Sequence, residues 1–325
     1  MRNPPALAHL LLRFDNALEL TFGRNRHDMS MHMTKDDAVS VGSGPVEIRM
    51  KKRTLLQATL GLALMLSLPQ AAHAEDALAR VKAAGVLKVG TETAFAPFDF
   101  IDEAGEHVGL NVDAFEEIGK ELGVKIEWTE LPWDGVFPAL EAGQFDIVAG
   151  PATITKARTE RYRFLSPVAE ATVAILKGAK DETIQKPEDI AGKVVGAGKA
   201  TSQLAQVQAF GKTLPQPVET REYPGFNEAY ADLATGRIAA VANSLPNIAY
   251  VASKQPDTFA VVEPAFGQKS YFGFIGTKKA DDQPLLDAVQ AALVKIKGDG
   301  RMKTLQEKWF GTSFDTPDVA PEPAF

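Results

Sequence analysis

The sequence predicts an α/β protein whose sheets are mainly parallel and flanked by helices, and two observations carry that expectation. Apolar runs of strand length alternate with segments whose apolar residues recur at helical spacing, from residue 75 to residue 311. Glycines stand where the helical patterns stop, at Gly123, Gly143 and Gly236. With 325 residues, 45% of them hydrophobic, the chain has enough apolar material and length for two lobes.

Taken in order, EDALARVKAA (75–84) reads as an amphipathic helix and VLKVGT (86–91) as a short apolar strand. LNVDAFEEIGKEL (110–122) is helical and ends at Gly123; KIEWTEL (125–131) alternates as a strand. WDGVFPALEAG (133–143) is a short helix and FDIVAG (145–150) a buried strand. EATVAILKG (170–178) continues as a strand, KPEDIAGKVVGAG (186–198) as a helical turn and then a strand, and TSQLAQVQAFG (201–211) as a helix. NEAYADLATG (227–236) is a helix, IAAVAN (238–243) and YFGFIGTK (271–278) are strands, and the helices 281–300 and 301–311 close the pattern. The Pro-rich tail 317–325 is expected to be loose.

Residues 50–74 have the order of a secretory signal. Lys51, Lys52 and Arg53 precede an apolar stretch from Thr54 to Leu68, Pro69 breaks it, and Ala72-His73-Ala74 fits a small-x-small cleavage rule. The apolar stretch is shorter than the roughly 20 residues a membrane span needs. Met50 then reads as the functional start, with 1–49 as upstream extension or disordered leader. The remainder, 75–325, carries 26 Lys+Arg and 36 Asp+Glu, a net charge of −10, and a single histidine, His107.

Those counts remove whole classes of chemistry. An acidic chain has no basic footprint for nucleic acid. Without cysteine there is no disulfide, thiol nucleophile or thiolate metal site. A cysteine is also what a bacterial lipoprotein needs for its lipid, so the exported protein is expected free in solution in a Gram-negative periplasm. A triad or a His-based metal site would have to rest on His107, which sits in the Gly-flanked acidic segment DEAGEHVG and reads as a solvated hairpin tip. No cofactor or metal is expected.

In α/β sheets ligands bind beyond the carboxyl ends of strands, which flags residues 91–98, 150–158, 198–202 and 243–247. GAGKAT (196–201) follows a strand and opens a helix like a phosphate loop. It lacks the third glycine of the dinucleotide fingerprint, and Lys193 breaks the spacing of the other phosphate motif. An anion-binding helix start explains the same residues.

GTETAFAPFDF (90–100), VGLNVDAFEEIGKELG (108–123), WDGVFPALEAGQFDIVAG (133–150), TITKARTERYRFLSP (153–167), YADLATGRIAAV (230–241) and GDGRMKTLQEKWFG (298–311) run in one order across almost the whole exported part. In that order they resemble the polar amino acid-binding receptors of bacterial ABC importers, family 3 of the extracellular solute-binding proteins, with the glutamine-binding receptor nearest in texture. The resemblance implies the two-lobed periplasmic-binding-protein fold of type II with two hinge crossovers, lobe one at 79–168 plus 271–316 and lobe two at 169–270. It also implies a monomer that closes over a small carboxylate-bearing solute and docks on the permease transmembrane subunits.

Residue by residue, the resemblance places Arg158 on the ligand carboxylate, where a planar fork of donors that stays charged is suited to the task. Thr153 would add an amide or hydroxyl, and Thr201 with Ser202, at a helix start, would hold the same carboxylate from lobe two. Phe95 and Trp133 match aromatic positions that sandwich the ligand side chain. Asn243 ends the strand 238–243 and Ser244 follows it. The family usually carries an acid at the position of Ser244, and a hydroxyl does not neutralise an ammonium. Glu92 is the candidate to supply the missing charge. Pro151, where relatives have Gly or Ser, keeps its carbonyl and loses an amide donor. A second reading is an exported enzyme resembling cyclohexadienyl dehydratases, in which Glu92 would be the general acid.

Overall fold

The computed structural model describes residues 76–325; the expected extension at 1–49 and the expected export signal at 50–74, with cleavage near Ala74, lie outside the described residues. Helix α1 (Ala77–Ala84) starts where the Asp76 side chain accepts a bond from the amide of Ala79. It leads into β1 (Val86–Thr91), and a small antiparallel sheet follows, made of β2 (Ala94–Phe95), β3 (Asp99–Ile101) and β4 (His107–Val108). Gly109 then turns the chain into α2 (Leu110–Leu122). Its φ is 143°, and a Cβ there would lie 2.0 Å from the carbonyl oxygen of Phe98, so no side chain fits.

Next come β5 (Lys125–Glu130), α3 (Trp133–Glu141), β6 (Ile147–Thr153), α4 (Lys156–Arg161) and β7 (Tyr162–Glu170). A second set follows: β8 (Val173–Gly178), β9 (Val194–Gly198), α5 (Ser202–Gly211), β10 (Glu219–Tyr223), α6 (Phe226–Ala234), β11 (Ala240–Ser244), α7 (Leu245–Lys254) and β12 (Phe259–Val262). The chain returns with β13 (Tyr271–Thr277), α8 (Gln283–Gly298) and α9 (Arg301–Phe310).

The strands form two five-stranded sheets of the same design, β5-β1-β6-β13-β7 and β10-β9-β11-β8-β12, one in each lobe of a type II fold. In each, the first three strands are parallel and the last two run antiparallel to their neighbours. The sheets are therefore mixed, where strand–helix alternation alone predicts mainly parallel ones. The antiparallel strands are those next to the crossovers. β7 passes through Ala171 and Thr172 directly into β8, and β12 passes through 263–270 into β13, so a strand leaving one sheet is paired with one returning.

Leu87, Val89, Phe115, Ile147, Phe274 and Leu286 are fully or almost fully buried in the first lobe's core, where α2 and α8 pack on one another. Each such side chain contributes about 1.5–3 kcal/mol by leaving water. Val195, Ala197, Val207 and Ala242 form a separate apolar cluster in the second lobe. The tail is tied down rather than loose at two points. Lys297 Nζ donates to the carbonyls of Thr316 and Pro317 at 3.0 and 2.7 Å, and the amide of Lys156 donates to the Phe325 carbonyl at 2.7 Å. No described helix is long and apolar enough to cross a membrane.

Candidate functional site

The carboxyl ends of β1, β6, β9 and β11 converge between the lobes. A small cavity there is lined by Glu92, Phe95, Trp133, Pro151, Thr153, Arg158, Thr201 and Gln203, and its free space is about 10 Å³. That is roughly room for one water, so any solute must part the lobes to enter.

One end of the cavity is built around a guanidinium. β6 ends at Thr153, and the Thr155 hydroxyl caps α4 by accepting from the amide of Arg158 at 3.3 Å. This sets Arg158 in the first turn of α4 with its side chain folded back toward the strand end. Its Nη1 donates to the Thr153 carbonyl at 3.2 Å, and its guanidinium lies over the rings of Phe137 and Trp133, at 5.0 and 5.6 Å from their centroids. No carboxylate pairs with it among the described residues. Desolvation brings its pKa down to about 10, which leaves it cationic at neutral pH. From the other lobe, Thr201 caps α5 by accepting from the amide of Leu204 at 3.1 Å, so the helix start with its free amides faces the same space.

The opposite end is acidic. Glu92 is only 7% exposed, and its carboxyl has no hydrogen-bond partner among the described residues. Burial, with the charge of nearby Asp99 adding to it, raises its pKa to about 8. Asp99 itself is fully buried behind Glu92. Asn111 Nδ2 donates to it at 2.6 Å, and His107 Nε2 lies 3.3 Å away. Burial also raises the pKa of Asp99, against the opposing pull of His107, Asn111 and Thr91. Tyr230 approaches from the second lobe with its hydroxyl accepting from Asn243 Nδ2 at 2.9 Å. Burial, with Glu92 adding to it, holds that phenol well above its usual range.

The lobes are closed on one another. Ser202 Oγ donates to Thr153 Oγ1 at 2.8 Å, Asn247 Nδ2 donates to the Ala96 carbonyl at 2.8 Å, and Lys199 Nζ lies 2.8 Å from Asp134 Oδ2. The ring of Phe95 packs 5.6 Å from that of Phe226.

Seven of the ten residues expected from the sequence line the cavity. Ser202 reaches it through Thr153. Ser244 stands one bond behind it, its hydroxyl accepting from Gln203 Nε2 at 2.8 Å, and Asn243 lies further back against Tyr230. The two aromatic residues differ from a free sandwich. Trp133 supports the guanidinium, and Phe95 is 4% exposed among Phe98, Phe226 and Phe272. His107 is not a solvated tip. The turn is at 102–106, and His107 lies one step later on β4, where its ring meets Trp128 edge-on at 4.9 Å. Gln203, Tyr230 and Asp99 were not expected at the site. Gln203 had one sequence signal, its place in the first turn of the helix flagged as an anion holder.

The profile of the bacterial extracellular solute-binding proteins, family 3, matches residues 87–312. The chain is 30% identical over 261 residues to the L-cystine-binding protein of Escherichia coli strain K12, covering 80% of this chain and 96% of that one. An ancestral arginine-binding protein bound to arginine superposes with a TM-score of 0.65 at 33% identity, over 70% of this chain and 99% of the other. An ancestral amino acid-binding protein described as a precursor of cyclohexadienyl dehydratase gives 0.65 at 33% identity, over 72% and 99%.

Proposed function

The chain belongs to family 3 of the bacterial extracellular solute-binding proteins, and we propose that it is the periplasmic receptor of an ABC importer for a polar amino acid or a related small carboxylate. The observation that carries this reading is Arg158, a desolvated guanidinium without a carboxylate partner among the described residues, set in the cleft opposite a helix N-terminus. A ligand carboxylate would complete it with charge-assisted bonds. Thr153, Thr201 and Ser202 stand within reach of the same group. A cationic end of the solute would face Glu92, Ser244 having no charge to offer. Closure follows because a solute touching both lobes binds the closed state better than the open one. The closed monomer would then dock on the transmembrane subunits of the importer.

A thermal-shift screen of residues 75–325 against amino acids, small carboxylates and polyamines tests this. Ligands that raise the melting temperature by mass action should all carry a carboxylate. A pure polyamine as the best ligand would overturn the role of Arg158.

One observation favours a second reading. A carboxyl in a closed cleft with its pKa raised to about 8 is protonated at neutral pH and could act as a general acid. Incubation with prephenate decides the point: appearance of phenylpyruvate absorbance would make the protein a dehydratase, and its absence leaves the receptor.

A further inference from the structure

Beyond α9 the segment 316–325 runs over the first lobe and is tied at both ends. The near tie is the ammonium of Lys297, on α8, whose side chain is only 11% exposed. It donates to Ser166 Oγ at 2.8 Å and to the carbonyls of Thr316 and Pro317, and it pairs with Asp318 Oδ1 at 3.1 Å. Gln290 Nε2 donates to the Asp318 carbonyl, and Thr316 Oγ1 to the carbonyl of Pro167 on β7. A cation withdrawn from water needs every proton bonded, and here the segment supplies most of the acceptors. The far tie is the Phe325 carbonyl, which accepts from the amide of Lys156 at 2.7 Å. Between the two ties Pro321 and Pro323 stiffen the span.

Lys156 opens α4, and Arg158 stands two residues on. This helix has six residues, KARTER, and no large apolar side chain to anchor it in a core. So short a helix has little stability of its own. Apart from the bonds of Arg158 itself, its outside supports are the exposed Lys278, which donates to the Thr159 carbonyl, and the Phe325 carbonyl.

We propose that the segment 316–325 is a positioning strap for anion recognition: anchored at Lys297, it holds the amide of Lys156 and so keeps Arg158 in place before a solute arrives. The inference rests on the receptor reading above, in which Arg158 takes the ligand carboxylate, and adds to it a determinant outside the cleft. A guanidinium already held need not be ordered at the moment of binding, so the strap contributes to affinity without touching the solute.

Lys156→Pro cuts the far tie and keeps the helix. Proline lacks the amide that donates to Phe325 and is tolerated at the first helical position. Thr155, at φ −123° and ψ 155°, already has the extended backbone that a residue before proline needs. Its reference is Lys156→Ala, which loses the same side chain and retains the amide. Lys297→Met releases the near tie. In residues 75–325 carrying Lys156→Pro, hydrogen exchange at the amides of 157–161 should quicken relative to Lys156→Ala. Calorimetric titration with L-arginine, L-histidine, L-glutamine and L-cystine should show, for each that binds the wild type, an affinity about 2- to 10-fold lower than in Lys156→Ala, the range for one hydrogen bond. The double variant Lys156→Pro/Lys297→Met should lose no more than the larger single loss, because both changes cut one strap, whereas unconnected sites would add. Additive losses, or unchanged affinity in Lys156→Pro, overturn the positioning role and leave the receptor reading intact. A wild type that binds none of the four sinks both together.

Discussion

The two ends of the cavity hold charge in different ways. At one end Arg158 is braced by a backbone carbonyl and two aromatic faces, and its pKa of about 10 keeps it charged at every physiological pH. At the other end Glu92 has no hydrogen-bonding brace among the described residues, and its pKa of about 8 keeps it mostly protonated at neutral pH. Recognition of an anion is therefore preorganised, whereas recognition of a cation requires a proton to leave. The same desolvation acts on both groups. It lowers a base that starts far above neutrality and raises an acid that starts below it, so only the acid crosses into the working range.

The largest expected effect comes from removing the fixed charge. Arg158→Ala should weaken binding of any carboxylate ligand at least about 30-fold, since truncating one partner of a buried charge pair costs about 2–5 kcal/mol. The unliganded melting temperature should hold or rise, because an unpaired desolvated charge has been removed. Retained affinity would break the comparison at its firmer end.

Next is the switchable charge. A cation on Glu92 favours the ionised form, so binding should release close to one proton near pH 6–7, and affinity should climb as pH rises toward about 8 and then level off. Titration in buffers of different ionisation enthalpy measures that proton. Glu92→Gln should abolish both the release and the slope. Asp99 acts through Glu92, so Asp99→Asn should move the midpoint of the pH profile downward while leaving the proton release in place at lower pH. An unmoved midpoint would mean that burial alone sets the pKa. For the unliganded protein the sign reverses. A carboxyl raised from 4.5 to about 8 on folding contributes stability that is full below 4.5 and lost as pH rises through 8. Measured against Glu92→Gln, the wild type should lose stability steadily across that interval.

This contrast was only half legible in the sequence. Local signals placed the elements well. The helix read at 110–122 is Leu110–Leu122, and strands 86–91 and 271–278 fall on β1 and β13. Strand β7 escaped because RFLSPVAE has a central proline and no alternation, and β2 to β4 are too short to carry a period. The Arg158 end could be read because it is assembled from one contiguous stretch, strand end to helix start. The Glu92 end is assembled from afar. Asp99 and His107 meet it through a three-stranded ribbon, Tyr230 and Ser244 through the other lobe, and Gln203 reads as an ordinary helix residue although its amide donates to Ser244 on a strand 41 positions away. A one-residue shift from loop tip to strand turned His107 from solvent toward Trp128, which no composition argument could detect.

The smallest effect concerns the contact that joins the two ends from outside. Lys199 precedes α5 in the second lobe, and Asp134 stands in the first turn of α3 beside Trp133, so their pair spans the cleft mouth on the Arg158 side. Both side chains are substantially exposed, at 57% and 37%, and such pairs contribute at most about 1 kcal/mol. Lys199→Ala should therefore weaken ligand binding by no more than about 5-fold, chiefly through faster dissociation. The deficit should vanish at high salt, where the pair is screened. On the other side of the mouth Glu130, at the end of β5, and Glu228, in the first turn of α6, line one solvent-open slot, where closure joins like charges. If the two sides differ in this way, salt should weaken closure around a ligand on the Lys199 side and ease unliganded closure on the glutamate side. Lobe distances measured by paired spectroscopic labels, with Lys199→Ala and the Glu130→Gln/Glu228→Gln double variant compared over a salt series, would show opposite trends. Parallel trends would mean that net charge, and not the arrangement of these four side chains, governs closing.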